Sequence, residues 1–196
     1  MEITASIAKD VASTLLDIEA IKLSPDAPFT WASGWKSPIY CDNRMLLSYP
    51  EAREKVALTM SRFIREKYPE VQLIAGVATG AIGMGMLVAD RLGLPFVYVR
   101  PEPKKHGRGN QIEGAFTSGE KTVVIEDLIS TGMSSIGAVK ALRESGLEVL
   151  GMVAIFSYLF EVAQNNFQSA GVHLDTLSQY NSLLEEVKDR NYISEQ

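Results

Sequence analysis

Residues 123–135 read Val123-Val124-Ile125-Glu126-Asp127-Leu128-Ile129-Ser130-Thr131-Gly132-Met133-Ser134-Ser135. Three β-branched residues lead straight into two adjacent acids, a Ser/Thr/Gly turn and a helical pattern. The word describes a buried strand ending in a carboxylate pair, followed by a loop that opens a helix. In a parallel sheet, ligands sit beyond the carboxyl ends of the strands. Ser130, Thr131, Gly132, Met133 and Ser134 there can present backbone N–H groups and three hydroxyls to an anion. The positive N-terminal end of the following helix favours phosphate. Glu126 and Asp127 would repel that phosphate but accept hydrogen bonds from a neighbouring polyol, such as the 2- and 3-hydroxyls of a ribose. A lone Ser-Thr-Gly is more often a helix cap. Two acids directly after an apolar strand are costly unless used, which favours a sugar-phosphate site.

Outward from this stretch the chain alternates. Strands are expected at 71–77, 95–99, 122–126 and 147–156, with a short one at Ala115-Phe116, and helices at 81–92 and 133–145, the latter closed by Gly146. This βαβαβ order means a parallel sheet with helices on both faces. Residues 5–22 carry Ile7, Val11, Leu15, Ile18 and Ile21 at helical spacing, an amphipathic helix outside the alternating core. Residues 24–46 read as irregular and aromatic-rich, holding both tryptophans, Trp31 and Trp35. A helix follows from Tyr49-Pro50 to about Lys67. Further helices are expected at 158–170 and at 178–190, the last capped by Ser178 or by a Thr176…Gln179 box.

Composition narrows the class. With 46% hydrophobic and 22% charged residues in 196, this is an ordinary globular chain of one domain with a sizeable core. A net charge of −5 argues against general nucleic-acid binding. No apolar run is long enough to span a membrane, and the first residues lack a signal pattern. The single cysteine, Cys41, cannot form an internal disulfide, which fits a reducing cytoplasm, and it reads as a small packed residue. With only His106 and His173, a zinc site is not expected.

Three more segments carry chemistry. Val77-Ala78-Thr79-Gly80-Ala81-Ile82-Gly83 turns a buried strand into a helix through small residues, a second anion loop centred on Thr79 and Gly80. Its glycines do not fit the dinucleotide fingerprint, and on spacing alone they serve helix–sheet packing equally well. Arg100-Pro101-Glu102-Pro103-Lys104-Lys105-His106-Gly107-Arg108 places five basic or imidazole groups within nine residues of an acidic chain. Such a loop is commonly just solvated, but a cationic lid here would neutralise a departing diphosphate and exclude water. Phe29-Thr30-Trp31-Ala32-Ser33-Gly34-Trp35-Lys36-Ser37-Pro38-Ile39-Tyr40 forms an aromatic hood, continued by Cys41, Asp42, Asn43 and Arg44, that suits core packing or a flat ligand.

The 123–135 word resembles the motif by which type I phosphoribosyltransferases bind 5-phosphoribosyl 1-diphosphate (PRPP). The loop resembles the catalytic loop of the orotate phosphoribosyltransferases through Arg100, Lys104, His106 and Gly107. The hood matches their F-T-x-x-S-G-x-x-S-P-x-Y segment. The resemblance spans about residues 15 to 190. It implies an α/β type I phosphoribosyltransferase-like fold: a central, mostly parallel sheet flanked by helices, with a small hood from the N- and C-terminal parts. Residues 1–196 would form one domain: helix and hood to about 50, PRPP core at about 70–157, C-terminal helices at 158–196.

It further implies transfer of the phosphoribosyl group from PRPP to orotate. Lys104, His106 and Asp127 would be catalytic. Arg100, Lys104, Lys105, His106, Glu126 to Ser134 (Leu128 and Ile129 included), Thr79 and Gly80 would bind PRPP. Ser130, Tyr40, Lys36 and Arg44 would meet orotate. Mg²⁺ would be held mainly by PRPP, with no direct protein ligand. A homodimer is implied, the 101–114 loop of one copy reaching the other's site. Three positions depart from the pattern of some members. Ala32 replaces a lysine, Pro101 a second cation, and Ser157-Tyr158 follows the last core strand where an arginine helps hold orotate. Lys36 or Arg44, and Lys105 in the loop, are the candidates to compensate. A purine-type transferase and a PRPP-sensing regulator of the same fold are the alternatives, the latter lacking the expected basic nucleic-acid face.

Overall fold

The computed structural model describes residues 2–30, 34, 36–103 and 111–190. Its frame is a six-stranded sheet of order β10-β9-β8-β5-β6-β7. The strands are β5 (Leu73–Val77), β6 (Phe96–Val99), β7 (Ile112–Glu113), β8 (Lys121–Ile129), β9 (Glu148–Ser157) and β10 (Leu174–Gln179). All neighbours run parallel except β7, which is antiparallel to β6. The helices are α1 (Ala5–Asp17), α2 (Pro50–Lys67), α3 (Ile82–Leu92), α4 (Met133–Glu144), α5 (Glu161–Ser169) and α6 (Tyr180–Asp189).

Strand alternation sorts the apolar residues into two helical layers. Ile74, Val123, Ile125, Val153 and Ile155 face one core with Leu15 of α1, Met60 and Phe63 of α2, Val88 of α3 and Leu183 of α6. Leu73, Ala75, Val124, Met152 and Ala154 face the other, with Val139 and Leu142 of α4 and Phe167 of α5. Both faces of β5 are covered, so all five of its residues are buried. That explains why it reads as an uninterrupted apolar run. The expected parallel α/β architecture is thereby observed.

The structure corrects several boundaries. The first helix stops at Asp17, and the chain turns through Glu19 (φ +55°) into β1 (Ile21–Leu23). The segment read as irregular holds three strands, β2 (Phe29–Thr30), β3 (Lys36–Ser37) and β4 (Ile39–Cys41), then a 3-10 helix, Asn43–Ser48. β1 pairs with β4 and β2 with β3, both antiparallel. The short strand expected at Ala115-Phe116 lies earlier, at Ile112–Glu113, where it pairs with β6. Residues 174–179, part of them read as a helix cap, are the edge strand β10. Its Leu-Asp-Thr-Leu-Ser-Gln sequence has weak strand character, and pairing with β9 determines its state. β8 does not end at its acids but continues to Ile129, held by β9 through Leu128↔Phe156 and Ile129↔Ser157. No described helix is long and apolar enough to cross a membrane.

Candidate active site

Because β8 runs on past its acids, the period of two starts the Glu126 and Asp127 side chains on opposite sides of the strand, yet their carboxyl groups stay in hydrogen-bond contact at its end. Glu126 is only 4% exposed. Its Oε1 accepts the Asp127 N–H at 2.9 Å and its Oε2 accepts the Ser135 hydroxyl at 2.7 Å, from the first turn of α4. Burial first, then a hydrogen bond to the Asp127 side chain and that residue's charge, push the Glu126 carboxyl up to about 8, outweighing the Ser135 hydroxyl and the Asp127 N–H, which pull it down. Asp127 is half-buried, and its carboxylate lies against Gly80 so closely that a methyl group there would fall onto it. The Gly80 loop, which includes a cis Ala78–Thr79 peptide, therefore abuts the second acid of the β8 word.

Leu128 and Ile129 belong to the strand and serve packing. Ile129 is fully buried and its carbonyl accepts the Tyr158 N–H at 3.1 Å. The turn proper is Ser130, Thr131 and Gly132. Gly132 has φ +76°, and a Cβ there would meet the Phe167 ring, so glycine is required twice over. The Thr131 carbonyl is held by Asn166 Nδ2 at 3.0 Å. Met133 and Ser134 open α4 and are exposed.

The expected loops converge. Ala78 from the second anion loop, Arg100 and Gln111 from the two stems of the basic loop, and Met133, Ser134 and Gly137 from α4 line one cavity of about 190 Å³. The Arg100 N–H donates to the Gln111 carbonyl at 2.8 Å, closing the stems, and the Arg100 guanidinium faces Glu113 at 3.4 Å. Lys104, Lys105 and His106 lie outside the described residues, as do Trp31, Ala32 and Trp35.

The hood residues separate into two groups. Arg44 is tied to Asp42 by two bonds, Nε–Oδ1 at 2.7 Å and Nη2–Oδ2 at 2.8 Å, which leaves its charge already matched. Tyr40 is 41% exposed, with its ring 5.7 Å from that of Phe29. Lys36 has no ion pair among the described residues. With Ser37, Ile39, Tyr158, Phe160 and Tyr180 it lines a cavity of about 420 Å³. The Tyr158 and Phe160 rings stack there at 5.4 Å and 16°.

Asn43, Ser135 and Asn166 were not singled out from sequence. Asn43 and Asn166 reach Asp127 and Thr131 from far along the chain, and Ser135 reaches Glu126 from a helix turn, so linear spacing carries no signal for them. Among the described residues, no three His, Cys, Asp or Glu side chains gather to hold a metal ion. Both Glu126 oxygens are already engaged, so of the two acids Asp127 is the donor whose chemistry suits a hard cation such as Mg²⁺ that arrives bound to a phosphorylated ligand.

The fold and the loops that follow β5 and β8 define a class, and the comparisons agree. The model of the phosphoribosyl transferase domain matches residues 44–170, and the chain belongs to that family. The orotate phosphoribosyltransferase of Cytophaga hutchinsonii is 54% identical over 187 residues, 95% of this chain and 90% of that protein. That of Phocaeicola vulgatus is 56% identical over 191 residues, 97% and 90% of the two chains. The crystal structure of the Aeropyrum pernix orotate phosphoribosyltransferase superposes with a TM-score of 0.80 at 30% identity, covering 91% of this chain and 98% of that one. Within the family, the chain belongs with the orotate phosphoribosyltransferases.

Two outcomes follow from this geometry. Gly80→Ala should displace the Asp127 carboxylate and lower kcat/KM for PRPP on the order of 10²-fold, the scale of an ångström's misplacement, while the urea midpoint stays near that of the parent. Glu126 also imposes a pH dependence on stability. Its folded-state value is raised, so its contribution is complete below the ordinary carboxylate value of 4.5 and is lost as pH rises through about 8. Urea midpoints between those limits should fall more steeply for the parent than for Glu126→Gln; parallel curves would contradict a neutral, buried Glu126.

Proposed function

We infer that the chain transfers the 5-phosphoribosyl group from PRPP to orotate, giving orotidine 5-phosphate and diphosphate, a step of UMP synthesis. The near full-length match to orotate phosphoribosyltransferases carries this reading. The cavity where the three anion-binding segments meet supports its PRPP half.

Orotate N1 attacks ribose C1 as the bond to diphosphate loosens, so positive charge grows on the ring and negative charge on the leaving group. Asp127, beside the Gly80 loop, accepts hydrogen bonds from the ribose hydroxyls and lies near the developing cation. Glu126 keeps that arrangement rigid from beneath. Ser130 to Ser134 and the N-terminus of α4 anchor the 5-phosphate, and this remote binding energy orients the reacting carbon. Thr79 and Gly80 receive the diphosphate. Arg100, Lys104, Lys105 and His106 neutralise it as it departs. Mg²⁺ would be held mainly by PRPP, as the resemblance implies, and would supply further neutralisation of the diphosphate.

For orotate, a flat acidic ring, Lys36 is the better-placed hood cation, since it borders an aromatic-walled cavity whereas Arg44 is already paired. The enzyme works as a homodimer in the cytoplasm, the 101–114 loop of each copy serving the other's site. The exposed Leu47, which covers Gly83, and Met86, one turn further along α3, offer an apolar strip for such pairing. A buried, unpaired thiol at Cys41 suits a reducing compartment.

The deciding assay follows the fall in orotate absorbance on adding PRPP and Mg²⁺, with adenine, hypoxanthine and uracil tested in parallel for nucleotide product. Turnover of orotate alone is expected; turnover of a purine, or none at all, would overturn the assignment. In the same assay Lys104→Ala should lower kcat far more than it weakens PRPP binding. Unchanged kcat would remove the loop from the chemistry.

A further inference from the structure

β8 outruns its neighbour. Its pairing with β5 ends at Gly76↔Ile125, so the Asp127 peptide lies beyond the ladder on that side. Buried main-chain groups need partners, and here side chains supply them. The Asp127 N–H donates to Glu126 Oε1 at 2.9 Å. The Asp127 carbonyl accepts from Asn43 Nδ2 at 2.6 Å, across 84 residues of sequence. Asn43 is 3% exposed and opens the 3-10 helix just after the hood strand β4. Its other end is also occupied, because the Cys41 thiol donates to Asn43 Oδ1 at 3.3 Å.

We propose that Asn43 is a positioning residue for the phosphoribosyl transfer, fixing the Asp127 peptide so that its carboxylate stays against the Gly80 loop, and that Cys41 sets which way the Asn43 amide faces. An amide presents a donor at one end and an acceptor at the other, and a buried asparagine fits its slot in two orientations. Only one puts Nδ2 toward a carbonyl. A thiol is a donor, which favours Oδ1 on its own side, and burial together with the charges of Asp127 and Asp42 pushes the Cys41 thiol far above its usual range, so the proton stays on sulfur. The hood that meets the base is thereby joined to the acid that meets the ribose by two consecutive hydrogen bonds. This proposal rests on Asp127 being the ribose-holding group.

The experiment compares Asn43→Ala, Asp127→Asn, their double variant, Cys41→Ala and Cys41→Ser. The readouts are kcat, KM for PRPP and for orotate, and the urea midpoint. Asn43→Ala should lower kcat/KM for PRPP on the order of 10²-fold. In the Asp127→Asn background the same change should cost less than about threefold, because residues acting as one unit are not additive. Cys41→Ala should lose about tenfold in kcat, and Cys41→Ser, which restores a donor, should recover most of it. A lowered urea midpoint with unchanged kinetics in Asn43→Ala would make the residue merely structural and overturn the proposal, as would full multiplicative loss in the double variant. Should Asn43→Ala fail to fold, equal activity of Cys41→Ala and Cys41→Ser would overturn it instead. An active Asp127→Asn overturns the reading of the site itself, and the proposal with it; an impaired Asp127→Asn beside an unimpaired Asn43→Ala overturns the proposal alone.

Discussion

Two carboxyl groups on consecutive residues at the end of a buried strand and in contact with each other cannot both hold a charge cheaply, and the end of the sheet is arranged around that pair. The pleat starts the two side chains on opposite sides of the strand and so gives each its own set of neighbours. Glu126 goes under α4, where its two oxygens receive a backbone N–H and a serine hydroxyl and where burial favours a bound proton. Asp127 goes toward the Gly80 loop. Because β8 continues to Ile129, both acids lie on the strand rather than in the turn that follows it.

This arrangement assigns different work to residues that look alike in sequence. An acid with both oxygens engaged inside the protein holds its surroundings still; the half-buried acid beside Gly80 is the one the proposed function assigns to the ligand. Gly80 and Gly132 belong to the same arrangement. The first leaves room for the Asp127 carboxylate and the second for the Phe167 ring, so each small residue answers a particular neighbour rather than a general need for flexibility.

The chain order of the core was legible because both faces of the sheet are covered. Residues 73–77 and 123–125 announce themselves as apolar runs, and Gly146 and Pro50 mark helix ends by their own backbone chemistry. The 174–179 strand was not legible, since an edge strand of Leu-Asp-Thr-Leu-Ser-Gln owes its state to β9 and not to its own preferences. Nor were the small antiparallel pairs of the hood, whose strands of two and three residues fall below the length at which alternation can be seen. At the candidate site, motif chemistry singled out loops that the structure brings to one cavity. Which acid would be buried did not follow from that chemistry, because it depends on where β8 ends, and that is decided by pairing with Phe156 and Ser157 some thirty residues later.

The hood raises the complementary question of how an element built from a separate stretch of chain, proposed to bind the base, stays in register with the proposed ribose site on the sheet. Apolar contact alone would leave it free to slide, since dispersion has little directional preference. A hydrogen bond does not. The Asn43 amide meets a single carbonyl, that of the residue whose carboxylate faces Gly80, and it does so from the position next to the Asp42–Arg44 pair. That pair withdraws Arg44 from the ligand side and leaves Lys36, two strands earlier, as the described hood cation without an ion pair. Register and charge in the hood are thus set by the same few residues after β4. On the proposed function, a change there would alter base recognition and ribose geometry together.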